Sequence, residues 1–180
     1  MLTPKPTLDP VEQDWHVACW AWLLRHGEGR QRLIDTPLVL PNEEFFPGLS
    51  SSADDLAKRL FDRVKQLADM EDWPTRLVEQ DERPDQLSPT THLEHSNPAA
   101  GSFTPTGNTA EISYDPKQLK TPIALVATLA HELAHYMNGG FPEHPPGGPD
   151  FNEPATDVTA VYLGFGLFGA NSTFTFSQAT

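Results

Sequence analysis

The residues best suited to chemistry in this sequence form the segment His131-Glu132-Leu133-Ala134-His135. In a helix, imidazoles at positions i and i+4 lie about 40° apart on one face, so they can share one zinc ion. Glu132 lies about 100° round the helix from His131, so we expect it to flank the metal and to hydrogen-bond a metal-activated water. The alternative is that His131 and His135 are two ordinary hydrogen-bonded histidines on a helix.

A catalytic zinc site needs a third protein ligand as well as an open position for water. Glu153 and Asp157 lie four residues apart on the next predicted helix. One carboxylate can ligate the metal while the other accepts a hydrogen bond from the free nitrogen of a ligating histidine. His144, Asp150 or Asp157 could ligate instead of Glu153. Glu153 and Asp157 could also serve only the start of their helix, where the helix dipole favours negative charge.

The two motifs together, H-E-x-x-H at 131–135 and N-E-x-x-x-D at 152–157, resemble those of the gluzincins, the thermolysin-like zinc metallopeptidases. The chain also resembles, more loosely, uncharacterised bacterial proteins that carry this motif pair. The resemblance covers about residues 109–169. It implies that Glu153 is the third zinc ligand and that Asp157 orients His131.

The activity implied by this resemblance is zinc-dependent hydrolysis of peptide bonds, with Glu132 as the general base. Larger gluzincins use a further His or Tyr to stabilise the oxyanion, and no motif here identifies it. His144 and Tyr162 are candidates by residue type only. The alternative from another class is a non-catalytic protein on a zincin-like scaffold, which would use the metal for structure or would bind a peptide or a partner protein without cutting it.

Helices and strands are predicted from caps and periodicity. Asp9, Pro10 and Glu12 start a helix that Gly27 can end, and Ser52 can cap a second helix with Leu56, Leu60, Val64 and Leu67 on one face. The other predicted elements are a short strand at 76–80, an irregular segment at 81–108, a strand at 109–114 and helices at about 122–138 and 153–169.

These elements predict an α+β, zincin-like fold in one domain, 1–180. Residues 109–170 would form the metal-binding core, and residues 1–108 an N-terminal helical and loop part. The strand at 109–114 would be the edge of a small sheet and could pair with an extended substrate. His92 and His95, in the irregular segment, are expected to be surface residues rather than ligands.

Composition narrows the class of partner. The chain has 180 residues, one cysteine and a net charge of −13, which argues against nucleic acid and anionic membranes as partners. No Lys or Arg follows Lys120, which leaves the motif region without a fixed cation to repel a metal. We find no secretory signal and no apolar stretch of about 18 residues, so we expect a cytoplasmic protein.

Overall fold

A computed structural model describes residues 8–48, 55–80, 101–106 and 109–177 of the chain as an α+β structure. Two 3₁₀ turns, Pro116–Lys120 and Pro149–Phe151, come before the fourth and fifth helices. The remaining elements, in chain order, are α1 (Pro10–His26), α2 (Gly29–Asp35), α3 (Leu56–Leu67), β1 (Thr75–Glu79), β2 (Gly101–Thr106), β3 (Thr109–Tyr114), α4 (Pro122–Gly139), α5 (Asn152–Tyr162) and α6 (Gly166–Ser177).

The predicted start and end of α1 are confirmed. The Asp9 side chain accepts hydrogen bonds from the backbone N–H groups of Val11 and Glu12, and the Glu12 carboxylate accepts one from the Asp9 N–H. This reciprocal arrangement satisfies backbone donors that the first helical turn leaves free. Gly27 ends the helix, where its N–H donates to the Leu23 carbonyl.

The sheet differs from the prediction in one important respect. Its strand order is β1-β3-β2, with β3 parallel to β1 and antiparallel to β2. The strand at 109–114 is therefore the central strand and not an edge. The prediction was wrong because β2 lies in the segment 81–108, where Gly101 and Pro105 made the sequence look irregular; proline is compatible with an edge strand.

Helix α4 lies against this sheet and against the helices around it. It spans Pro122–Gly139, close to the predicted 122–138. Its apolar face is buried at Leu125, Val126, Leu129, Leu133 and Met137. Tyr136 is half-buried and stacks on Phe103 of β2. The helix that carries the H-E-x-x-H motif therefore packs on the sheet as well as on the neighbouring helices.

The predicted helix at 153–169 is two helices. Helix α5 ends at Tyr162, and Gly164 has a φ of 94°, a left-handed conformation that favours glycine. A Cβ atom at this position would also lie 2.4 Å from the carbonyl oxygen of Pro37. The Gly164 carbonyl also accepts a hydrogen bond from the Val39 N–H, so the break between the two helices lies against the segment around Pro37 and Val39.

One hydrophobic core joins the N-terminal part to the motif-bearing helices. Cys19, Leu23 and Val64 lie in the same buried cluster as Leu129 and Phe168. Among the described residues, no helix combines the length and apolar character needed to cross a membrane. The predicted cap at Ser52 and the histidines His92 and His95 lie outside the described residues.

Candidate metal centre

Two helices bring three potential metal ligands together. His131 and His135 come from α4, and Glu153 comes from the first turn of α5. The Nε2 atoms of His131 and His135 lie 3.1 Å apart. Each is 3.4 Å from the Glu153 carboxylate, His131 from Oε2 and His135 from Oε1. One donor atom from each residue can be chosen so that all three lie within 4.8 Å of one another.

The donor set suits zinc in both chemistry and spacing. Imidazole nitrogen and carboxylate oxygen are ordinary zinc ligands, with bonds of about 2.0–2.2 Å in tetrahedral geometry, so neighbouring donors lie about 3.3 Å apart. The separation of 3.1 Å between the Nε2 atoms of His131 and His135, and the 3.4 Å from each to the Glu153 carboxylate, are close to that value. The Glu153 side chain is 74% exposed, so a small rotation can bring one oxygen onto the metal.

The outer nitrogen of His131 faces an acceptor. Its Nδ1 lies 3.1 Å from Oδ1 of Asp157, one turn after Glu153 on α5. A protonated Nδ1 donates to this carboxylate, so Nε2, which faces Glu153 and His135, would be the nitrogen available to a metal once its own proton is lost. This is the geometry that the motif resemblance implies for Asp157 and His131.

The outer nitrogen of His135 has a partner that the sequence did not predict. Its Nδ1 lies 3.2 Å from the hydroxyl of buried Thr156, which donates its one proton to the Asn152 carbonyl at 2.8 Å. The hydroxyl therefore accepts from His135, and it also accepts from the Asn138 side-chain N–H at 3.2 Å. Asn138 in turn accepts from Thr159, so α4 and α5 are joined by a hydrogen-bonded network behind the histidines.

No motif marked Thr156, because its role depends on how the two helices pack. A weak signal was present, since Thr156 directly precedes Asp157 and the two follow Glu153 within one turn. Threonine inside a helix commonly bonds to the carbonyl four residues earlier, as Thr156 does to Asn152. That bond turns the hydroxyl into an acceptor for a neighbouring helix.

Glu132 is buried beside the cluster, with an exposed fraction of only 6%. Burial raises the pKa of its carboxyl group, while the nearby imidazoles of His131 and His135 oppose that rise. Strand β2 covers it: a Cβ atom at Gly101 would be 3.1 Å from Oε1 of Glu132. Glycine at 101 is what allows the strand to pass so close to the carboxylate.

The charged groups of the site shift one another's pKa values. Burial lowers the pKa of His131, but its hydrogen bonds to Asp157 and Glu153 raise it overall to about 10. Hydrogen bonds from His131 and His135 hold the pKa of Glu153 well below its usual range. The site thus stabilises positive charge where the imidazole nitrogens converge.

The other candidate ligands and the candidate oxyanion-stabilising residues lie outside this cluster. His144 and Asp150 are exposed residues of the connection between α4 and α5. Tyr162 is fully buried, and its hydroxyl donates to the Gly27 carbonyl at the junction of α1 and α2. Among the described residues, the group of potential ligands consists of His131, His135 and Glu153.

Comparisons with known proteins add no assignment. No protein-family model matches the chain, and searches of curated proteins and of solved structures gave no match. The resemblance to the gluzincins therefore depends on the two motifs alone, and the geometry of the site has to carry any functional conclusion.

Proposed function

We propose that this chain is a zinc-dependent metallopeptidase of the gluzincin type, with the metal held by His131, His135 and Glu153. The observation that carries the proposal is the convergence of both Nε2 atoms on the Glu153 carboxylate at distances near those of zinc ligands. The outer nitrogens support it, because Asp157 and Thr156 accept from Nδ1 of the two histidines. A set of histidines held in this tautomer is suited to a metal.

When bound, zinc would supply a Lewis acid that polarises the scissile carbonyl and lowers the pKa of a water molecule. Glu132 takes a proton from the attacking water and delivers it to the nitrogen of the leaving amine. Its buried position supports this role, because a raised pKa brings the carboxylate closer to the basicity that a general base needs.

Among the described residues, no further strand pairs with β2 at the outer edge of the sheet, which suggests an extended peptide as the substrate. In β3, the Ala110 N–H donates to Pro74 and the Tyr114 carbonyl accepts from Gln80. The backbone groups of these two residues thus face the β1 side. Because hydrogen bonding alternates along a strand, Glu111 and Ser113 face β2.

The partners of Glu111 and Ser113 on β2 are Thr104 and Ser102. The backbone groups of Gly101, Phe103 and Pro105 therefore point away from β3. Gly101 lies against Glu132, so this edge begins beside the proposed base. An extended peptide could add to β2 through Gly101 and Phe103, whereas Pro105 has no N–H to offer.

The alternative function is a metal-binding protein that holds a peptide or partner without cutting it. The same edge and the same ligands would serve such a protein. The two candidates differ in the need for Glu132, because a binder has no use for a general base.

The test compares zinc-loaded wild type with Glu132→Gln on a mixed peptide library. Metal analysis should give one zinc per chain for both proteins. We expect the wild type to cleave and the variant to lose at least about 10²-fold in rate, because the amide cannot accept the proton. Absence of cleavage by zinc-loaded wild type would favour the binder, and cleavage retained by the variant would refute the mechanism.

A further inference from the structure

The first helix, α1, contacts both ends of the connection that joins the two motif-bearing helices. This connection runs from Gly140 to Phe151, between His135 on α4 and Glu153 on α5. Two tryptophans of α1, Trp15 and Trp22, each donate an indole N–H to a carbonyl within it.

Trp15 lies at the α5 end of the connection. Its Nε1 donates to the carbonyl of Pro146 at 2.8 Å, and its ring contacts Phe151, with centroids 5.6 Å apart. The Phe151 ring also lies against Gly147, where a Cβ atom would be 2.4 Å from the ring. Phe151, the residue before α5, therefore contacts both Trp15 and a turn that needs glycine at 147.

Trp22 lies at the α4 end. Its Nε1 donates to the carbonyl of Glu143 at 3.2 Å, and its ring meets Phe141 edge-on at 5.0 Å. His26 adds a second contact to Phe141 and one to the Glu143 carboxylate. Trp15 and Trp22 are seven positions apart, about 10 Å along α1, so one helix contacts both ends of the connection.

The start of α5 needs such support. The residue that precedes the helix is Phe151, which provides no side-chain cap for its first N–H groups. The preceding 3₁₀ turn supplies one backbone partner, because the Asn152 N–H donates to the Pro149 carbonyl, so the order of that turn bears directly on the start of α5. Glu153 is in this first turn; its side chain is 74% exposed and contacts the two histidines through its carboxylate.

At the first turn of α5, the contact with α4 is made by the Glu153 carboxylate, which lies 3.4 Å from Nε2 of each histidine. Thr156 and Thr159 bond to His135 and Asn138, and these contacts hold the second and third turns of α5. The backbone of the first turn is held by the Thr156 hydroxyl, which donates to the Asn152 carbonyl, and by Phe151, which contacts Trp15. The position of the Glu153 carboxylate therefore depends on the order of this turn as well as on the histidines that it contacts.

We propose that Trp15 is a positioning residue for Glu153: through Phe151 and the Pro146 carbonyl it holds the first turn of α5 where the third ligand meets the histidines. The inference rests on the proposed metal site for its functional consequence. Its structural part, the ordering of the first turn of α5, stands independently of any metal. Two measurements separate the ordering of the first turn of α5 from its consequence for zinc binding.

The first measurement is hydrogen exchange in the metal-free protein. We compare Trp15→Phe with Trp20→Phe, a matched substitution on the same helix whose ring faces Tyr162 at the other end of α5. Trp15→Phe should speed exchange at the amides of residues 156–158, which close the first turns of α5, by about tenfold. Unchanged exchange, or an equal effect of Trp20→Phe, would overturn the proposal.

The second measurement is zinc affinity in a double-mutant cycle. Trp15→Phe should raise the zinc Kd by about tenfold and alter the visible spectrum of the cobalt-loaded protein, while Trp20→Phe should do neither. In a Glu153→Ala background, Trp15→Phe should have no further effect on the weakened binding. An equal loss in that background would show that Trp15 does not act through Glu153.

A wild type that binds no zinc would refute the proposed function. The exchange result would still decide whether Trp15 orders α5.

Discussion

Gly101 lies directly against Glu132: a Cβ atom at position 101 would be 3.1 Å from Oε1 of that carboxylate. It would also be 2.8 Å from the carbonyl oxygen of Ser113 and 2.5 Å from Cγ2 of Thr128. The backbone carbonyl of Ser113 cannot move without disturbing β3. Any side chain at 101 must therefore push β2 away from α4 or displace Glu132.

Gly101→Ala should consequently lower both stability and activity. We expect a destabilisation of about 1–3 kcal/mol from overpacking and, if Glu132 is the base, a loss of about 10²-fold in peptide hydrolysis. Thermal unfolding and library cleavage measure the two effects.

The matched control is Gly139→Ala, whose new Cβ would meet the Phe103 ring at an ordinary 3.9 Å. Because alanine is the better helix former, this variant should be as stable as the wild type or slightly more so. An equal loss of activity in both variants would contradict the role assigned to Gly101.

Thr156 offers a test of the network behind His135. Thr156→Val removes the acceptor for Nδ1 of His135 and for the Asn138 amide while keeping the shape of the side chain. We expect zinc affinity to fall by about 10- to 100-fold, because the imidazole loses the partner that selects its tautomer. Competition with a chromophoric chelator measures this change.

Thr156→Ser keeps the hydroxyl and should keep most of the affinity. If valine and serine behave alike, the hydroxyl does not orient His135.

Glu153 and Asp157 should differ in their effects on zinc binding. Glu153→Ala removes a proposed ligand, so stoichiometric zinc should nearly disappear from the purified protein. Asp157→Asn leaves all three ligands and weakens only the hydrogen bond from His131, so zinc affinity should fall by about 10- to 100-fold. Metal analysis and chelator titration distinguish these outcomes. Negligible effects of both substitutions would show that the two carboxylates serve only the start of their helix.

The metal-free protein should lose stability as the pH rises. Burial lowers the pKa of His131, but hydrogen bonds to Asp157 and Glu153 raise it to about 10 in the folded chain. An unfolded histidine titrates near about 6.5. The stabilisation from the charged imidazole is thus complete below about pH 6.5 and is lost as pH rises through about 10.

Melting curves of chelator-treated protein should shift to lower temperature between about pH 7 and pH 10. His131→Gln lacks the titrating group, so its melting temperature should fall less over the same interval. A parallel decline of both proteins would assign the effect to other groups.

The local features of the site could be read from the sequence because they depend on spacing within one helix. His131 and His135 share a face of α4 for the reason that any i, i+4 pair does, and α1 starts where Asp9, Pro10 and Glu12 predict. The apolar face of α4 was predictable in the same way. Each of these inferences needs only the geometry of a helix and the chemistry of its ends.

Other features were decided by contacts between segments distant in the chain. Strand β2 forms because it pairs with β3, and its Gly and Pro residues gave the segment no strand pattern in the sequence. The break before α6 depends on Gly164 meeting the segment that contains Pro37 and Val39. Residues that form such contacts carry no periodic signal, since their partners lie far away in sequence.

The candidate centre combines both kinds of information. The sequence by itself determined which residue types are available, because histidines and carboxylates four apart must share helix faces. Only the tertiary structure decided that Glu153 meets both Nε2 atoms, that Thr156 rather than a carboxylate faces Nδ1 of His135, and that β2 covers Glu132. The physical reason is that distances between helices are set by packing of the whole core, which no local pattern encodes.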